Sequence, residues 1–219
     1  VSCRRWKRQP RVNARAGPCG VALARSIENA APQEESMSRI APLTFEDLDA
    51  ELQPLMSAGN EMMGFMPNDG LIMARKPAVL RAMHGLLESI YVPGSVPIEL
   101  KKLVGLMTSS ASGCQYCQAH AEFGAFRAGI ATDKIAAIWE YASHSLFSDM
   151  ERAALDLARY AAMTPNGVTD EQFENLRGYF DNEQIVELVS VIALFGFLNR
   201  WNSTFDTAIE PATKTEQSS

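Results

Sequence analysis

What this 219-residue chain lacks narrows it first. It has no glycine-rich phosphate loop and no G-x-S-x-G elbow, so nothing in it points to a bound nucleotide or a serine nucleophile. Basic charge is in deficit: 20 Lys and Arg stand against 26 Asp and Glu, for a formal net charge of −6. A nucleic-acid binder would show a basic face instead. No run of about 18 uncharged apolar residues occurs. The best candidate, Ile185 to Phe197, is short and carries Glu187, so no membrane span is expected. The 14 Gly and 11 Pro follow no three-residue period, which excludes a collagen-like chain. What is present is ordinary for a globular domain. The apolar fraction of 47% and the charged fraction of 21% exclude a chain disordered throughout.

Charge is unevenly spread. Residues 1–36 hold seven Lys and Arg against three acids, whereas the remainder holds 13 against 23. This leader carries Pro10, Gly17, Pro18, Gly20 and Pro32 and shows no apolar periodicity, so it cannot bury enough surface to offset its ordering entropy. Its apolar stretch from Cys19 to Ala24 is too short for a secretory signal. We read 1–36 as a disordered leader or upstream segment, 37–210 as one domain, and 211–219 as a polar tail.

From residue 37 onward helix grammar dominates, and the expected fold class is all-α, with about eight helices. Thr44-Phe45-Glu46-Asp47 reads as a capped helix start running to about Ser57. The Met-rich stretch from Gly59 closes at Pro67-Asn68-Asp69-Gly70, which marks a loop. Pro77 and Pro97 each open a helix, and Ser112-Gly113 bend the chain before a new one begins near Cys114 and stops at Gly129. Thr132-Asp133 caps a helix through Ala142. Ser148…Glu151 and Thr169…Gln172 are capping boxes, and Asp181-Asn182-Glu183-Gln184 opens the last, strongly apolar helix. That helix is apolar nearly all round and belongs in the core or at a subunit contact. An internal echo accompanies it. Leu188-Val189 stand ahead of Asn199 and Asn202 as Leu103-Val104 stand ahead of Cys114 and Cys117, consistent with a pseudo-repeat or with coincidence.

One stretch carries chemistry: Cys114-Gln115-Tyr116-Cys117-Gln118-Ala119-His120. Two cysteines three apart at a helix start can bridge with little backbone movement. The positive end of the helix lowers a thiol's pKa and raises its thiolate fraction, the form that attacks peroxides and disulfides. His120 falls on the same face one turn after Cys117 and can relay a proton. Two blander readings stand beside this one. The pair could be small buried thiols, or half of a zinc site, although no second ligand pair exists outside the leader, where Cys3 and Cys19 lie. The residues alone leave the attacking sulfur open. The helix dipole favours Cys114; proximity to His120 favours Cys117.

The segment from Pro97 through Ile130, with Ser112-Gly113-Cys114-Gln115-Tyr116-Cys117 and His120 at its heart, resembles the core of the carboxymuconolactone decarboxylase and alkylhydroperoxidase D-like family. Phe195-Gly196-Phe197-Leu198-Asn199-Arg200-Trp201-Asn202 is similar to a stretch of the family's peroxidase-related branch. The likeness covers roughly residues 40–210. It implies an alkylhydroperoxidase D-like helical bundle, a homo-oligomer built from trimers or dimers of trimers, and thiol-dependent hydroperoxide reduction. On that resemblance Cys117 attacks the peroxide, Cys114 resolves it as a disulfide, and His120 belongs to the proton relay. An external dithiol or thiol protein restores the pair, with no haem, flavin, metal or other cofactor. Two departures stand out. The family's relay glutamate, twelve residues before the first cysteine, is Lys102 here, with Glu99 one turn earlier; and His120 follows the second cysteine by three residues rather than four. Glu99 is thus a candidate relay group, and Lys102 a candidate for tuning the thiol pKa.

The expected function is therefore a cytoplasmic hydroperoxide reductase, the compartment following from a reduced working thiol pair. The alternatives are a lactone decarboxylase, which has no use for a dithiol, and a redox-sensing oligomer without catalysis.

Overall fold

A computed structural model describes residues 38–215. The leader with its two cysteines and the last four residues of the tail lie outside the described residues. Within them the chain is helical with no strand. The helices are α1 (Gln53–Met63), α2 (Asn68–Met73), α3 (Pro77–Tyr91), α4 (Ile98–Ser112), α5 (Gln115–Arg127), α6 (Thr132–Ala136), α7 (Asp149–Ala161), α8 (Asp170–Arg177), α9 (Asn182–Phe205) and α10 (Ala212–Thr215). A single 3-10 turn covers Ile138–Glu140.

Local chemistry sets most of these boundaries. Ser148, Thr169 and Asp181 each accept from the backbone N–H three residues on, and Glu151, Gln172 and Gln184 reach back to complete three capping boxes. Gly113 ends α4 at φ +70° and Gly129 follows α5 at φ +84°, a region that costs a residue with a Cβ.

Three expectations are corrected. The chain from Thr44 to Leu52 forms turns rather than a helix. Thr44 accepts from the Asp47 N–H as foreseen, but Pro54 lacks a donor and is tolerated only in a first turn, so α1 starts at Gln53. The expected loop at Pro67-Asn68-Asp69-Gly70 instead opens α2, with Pro67 just outside and Asp69 in the first turn. The helix expected from Thr132 to Ala142 divides into α6 and the 3-10 turn.

The bundle centres on α4, which packs against α5, α7 and α9. Its residues from Leu103 to Ser110 are buried without interruption. A Cβ at Gly105 would overlap the Phe195 ring, so the crossing with α9 requires glycine there. Helix α9 runs on past the apolar stretch that ends at Phe197. By length and composition it could cross a membrane, yet it packs against α3, α4, α5, α7 and α8 and buries Leu188, Val191 and Leu194. Val186, Val189 and Phe197 on its other side are exposed. It is also unbroken where α4 and α5 are separated at Gly113, so the echo between Leu103-Val104 and Leu188-Val189 does not extend to local structure. A second apolar cluster joins the N-terminal turns to α1–α3 through Leu48, Leu52, Met56, Leu71, Met73 and Leu80. Much of the Met-rich segment therefore fills a core.

Lys101 is 1% exposed. Its ammonium donates to the Ile90 carbonyl at 2.8 Å and the Val92 carbonyl at 3.4 Å, and pairs with the Glu187 carboxylate. Glu187 in turn accepts from the N–H groups of Ser95 and Val96. Burial raises the Glu187 pKa, and hydrogen bonds from Lys101 and Ser95 more than offset this, leaving it lowered. This clamp ties the α3–α4 connection to α9. Replacing Lys101 with Met strands both carbonyls and the carboxylate, and urea denaturation is expected to register a loss of about 3 kcal/mol.

Candidate functional site

The site begins at the break between α4 and α5. Gly113 turns the chain, its N–H donating to the Ser110 carbonyl, and the Cys114 N–H donates back to the Ser109 carbonyl at 3.2 Å. Cys114 thereby becomes the N-cap of α5, with extended backbone and its sulfur turned over the first helical turn. The Cys117 N–H donates to Cys114 Sγ at 3.3 Å. A thiol occupies the position that a serine or aspartate oxygen usually fills.

This placement separates the two sulfurs electrostatically. The thiol of Cys117 hydrogen-bonds to Cys114, the strongest influence lowering the Cys114 pKa. Burial opposes it; the Cys117 N–H and the nearby Ser203 hydroxyl reinforce it, and the net result is about 7. Cys117 moves the other way. Its proton is held by the bond to Cys114, and burial and the Cys114 charge push its pKa far up, against a donor from Asn202. The pair is reduced, within hydrogen-bond reach, and buried, with Cys114 at 2% and Cys117 at 3% exposure.

His120 is turned to a partner the sequence did not foretell. Its Nε2 lies 2.6 Å from Oε2 of Glu210, 90 residues downstream. The imidazole stacks on the Tyr116 ring at 4.1 Å between centroids, and Phe65 meets it edge-on at 5.3 Å. The Tyr116 hydroxyl donates to the other oxygen of Glu210 at 2.8 Å, and the Asn68 N–H donates to that same oxygen at 2.5 Å. Burial raises the Glu210 pKa, but the hydrogen bond and charge of His120 together with the Asn68 N–H bring it below the usual carboxylate range. The Tyr116 pKa is driven well up by burial and by the charges of Asp69 and Glu210, so this phenol keeps its proton.

The network closes on the sulfurs. The Asp69 N–H donates to the Tyr116 hydroxyl at 3.2 Å, and the Asn202 amide donates to Asp69 Oδ2 at 3.3 Å and to Cys117 Sγ at 3.4 Å. A continuous polar path thus runs from His120 through Glu210, Tyr116, Asp69 and Asn202 to Cys117.

The other two candidates fall elsewhere. Glu99 is exposed in the first turn of α4, about 20 Å along the helix axis from the cysteine end. Lys102 lies over the Tyr91 ring with Nζ 4.2 Å from its centroid, and burial lowers its pKa. The carboxylate beside His120 is Glu210, not Glu99, and the groups acting on the sulfurs are Ser203, Asn202 and Asp69, not Lys102. Asn202 carried a signal, as the partner of Cys117 in the internal echo. Asp69 sat in an apparent loop and Glu210 at the edge of an apparent tail, where nothing local marks either. Among the described residues no three His, Cys, Asp or Glu side chains converge to hold a metal ion.

Comparison with known proteins bears on the family and the fold. The sequence profile of the carboxymuconolactone decarboxylase family matches residues 77–160. The uncharacterized protein YnjA of Escherichia coli K12 is 30% identical over 107 residues, 49% of this chain; the chain spans only 59% of that relative's length. The crystal structure of the debrominase Bmp8 superposes with a TM-score of 0.76 at 33% identity, covering 81% of this chain and 95% of Bmp8. A cysteine-to-alanine form of the same debrominase has been solved in complex with 2,3,4-tribromopyrrole. A peroxidase-related protein from Ralstonia eutropha JMP134 with an alkylhydroperoxidase D core shares the fold, with a TM-score of 0.73 at 21% identity over 84% of this chain and 96% of that one.

The asymmetry of the two sulfurs has a direct readout. Alkylation by iodoacetamide, followed at each cysteine peptide by mass spectrometry, should rise at Cys114 with a midpoint near pH 7 and stay slow at Cys117. The same thiolate stabilises the reduced fold above the pKa of an unfolded cysteine, and this contribution is lost as pH falls through about 7. Equal rates at the two sulfurs, or a midpoint near 9 at Cys114, would refute the assignment.

Proposed function

The chain belongs to the carboxymuconolactone decarboxylase family, with the alkylhydroperoxidase D-like fold, and from that premise we propose that it is a thiol-dependent hydroperoxide reductase working through Cys114 and Cys117. The observation that carries this reading is the N-cap sulfur of Cys114, with its lowered pKa, beside a Cys117 that keeps its proton. Such a pair has a nucleophile and a resolving thiol one helical turn apart.

We read the two roles in the opposite sense to the one the family resemblance implies. Cys114, not Cys117, is the attacking sulfur, because the backbone N–H and hydroxyl donors converge on it. Its thiolate attacks the terminal oxygen of a hydroperoxide. The S–O bond forms, the O–O bond breaks, and the departing alkoxide takes up a proton as the alcohol. The Cys117 thiolate formed on proton loss then displaces hydroxide from the Cys114 sulfenic acid; the S–S bond forms and water leaves. An external dithiol reduces the bridge and is itself oxidised. His120, held by Glu210, serves as the proton store, while the Asn202 amide orients the Cys117 sulfur and Asp69. The exposed α9 residues Val186, Val189 and Phe197 suit a homo-oligomeric contact, and a reducing cytoplasm suits the dithiol.

The likeness to Bmp8 favours a second substrate for the same dithiol. In reductive debromination the Cys114 thiolate takes bromine from an aromatic ring, the ring carbanion takes a proton, and Cys117 displaces bromide to leave the same disulfide.

Dithiol consumption assayed with cumene hydroperoxide and with 2,3,4-tribromopyrrole separates the two readings. Either Cys114→Ser or Cys117→Ser should abolish turnover of the true substrate. Undiminished peroxide turnover in Cys114→Ser would end the hydroperoxidase assignment, and turnover of the bromopyrrole alone would replace it with the second reading. Glu210→Gln is expected to lower kcat about tenfold or more with a shifted pH profile, and Glu210→Asp to recover part of the loss.

A further inference from the structure

Cys114 and Cys117 are both buried, so a reactant can meet either sulfur only if something above them moves. Two half-buried side chains, Leu198 and Ile209, pack against the cluster of Cys114, Tyr116 and Cys117. Leu198 belongs to α9, which is anchored along its length in the core. Ile209 stands on the irregular segment 206–211 that joins α9 to α10.

That segment is held by few bonds, and they are polar. It leaves α9 at Asp206, whose φ of +50° lies in the left-handed region that disfavours a residue with a Cβ. Thr207 is buried, and its hydroxyl has no hydrogen-bond partner among the described residues. Ala208 is gripped from two sides. Its N–H donates to Ser38 Oγ and its carbonyl accepts from the Asn68 amide, each at 2.9 Å. Glu210 fastens the far end to His120, Tyr116 and the Asn68 N–H. Water can replace each of these bonds once the segment lifts. Lifting also relieves the backbone at Asp206 and solvates the Thr207 hydroxyl.

We propose that residues 206–211 are a strap over the dithiol, which lifts to admit a reactant whose apolar part takes the place of Ile209 against Leu198. Glu210 rides on the same strap. Closing it covers the sulfurs and brings the carboxylate to His120 in one movement, so the site exchanges reactants when open and is complete only when shut. The strap rests on the hydroperoxidase reading for its chemistry, and adds to it where the reactant enters and what its unreactive part must be.

Amide exchange by NMR and alkylation, both on the reduced full-length chain, test the strap without any assumption about the natural substrate. Ser38→Ala and Asn68→Ala each remove one bond to Ala208, and Asn68→Ala keeps the backbone N–H that meets Glu210. Each should speed exchange at Thr207 and Ala208 about fivefold, the worth of one hydrogen bond, and raise the iodoacetamide rate at the more reactive cysteine by the same factor. N-phenylmaleimide and N-(2-hydroxyethyl)maleimide carry one reacting group on an apolar and a polar arm. Relative to glutathione, the protein should favour the phenyl reagent, and Leu198→Gln should reduce that preference about fivefold. A variant that loses packing is recognised by its near-UV circular dichroism, and the other strap variant then carries the comparison.

Alkylation that does not follow exchange in the strap overturns the proposal, as does exchange that neither variant moves or a failure of both sulfurs to react. Equal preference for the two maleimides overturns the apolar entry. Strap-dependent alkylation in a protein that turns over no hydroperoxide upholds the strap and removes the hydroperoxidase reading instead.

Discussion

A single hydrogen bond organises the chemistry of this fold: the Cys117 N–H donating to the sulfur of Cys114 across the first turn of α5. It exists because Gly113 permits a left-handed turn that ends one helix and starts the next within two residues. A continuous α4–α5 helix would satisfy that N–H with a backbone carbonyl and leave both thiols equivalent. The break makes them unequal. One sulfur accepts at a helix N-terminus, the other gives its proton, and a two-residue spacer becomes a dithiol with a direction.

Around that bond the molecule is arranged to keep polar groups paired in a dry place. Tyr116 and His120 lie on one face of α5, and each needs a partner once buried. The partners come from chain segments far away. Asn68 and Asp69 arrive with α2, Asn202 with α9, and Glu210 with the segment between α9 and α10. Glu210 holds the imidazole, the phenol and the Asn68 N–H at once. With Lys102 turned to the Tyr91 ring and Glu99 at the far end of α4, the carboxylate of this site reaches it from the C-terminal side of the fold.

The helices were largely legible in the amino-acid order because their signals are local. Capping boxes at Ser148, Thr169 and Asp181, and glycines after α4 and α5, act over three or four residues and survive any tertiary context. The errors arose where two local signals competed. Thr44 has a capping partner in Asp47, but the backbone restriction at Pro54 delays the helix. Pro67-Asn68-Asp69-Gly70 has turn composition, but Gly70 and Leu71 are pulled under Met56 and its neighbours, and burial makes the segment a helix.

By itself the sequence determined that Cys114, Cys117 and His120 share one helical face at a helix start, because residue spacing along a helix is set by covalent geometry. Only the tertiary structure decided which sulfur carries the lower pKa and which carboxylate meets the histidine. Those outcomes depend on Asn202, Ser203 and Glu210, more than 80 residues away along the chain. Hydrogen bonds and burial act across a few ångströms of space, and no local pattern marks which distant side chain will be brought within that reach.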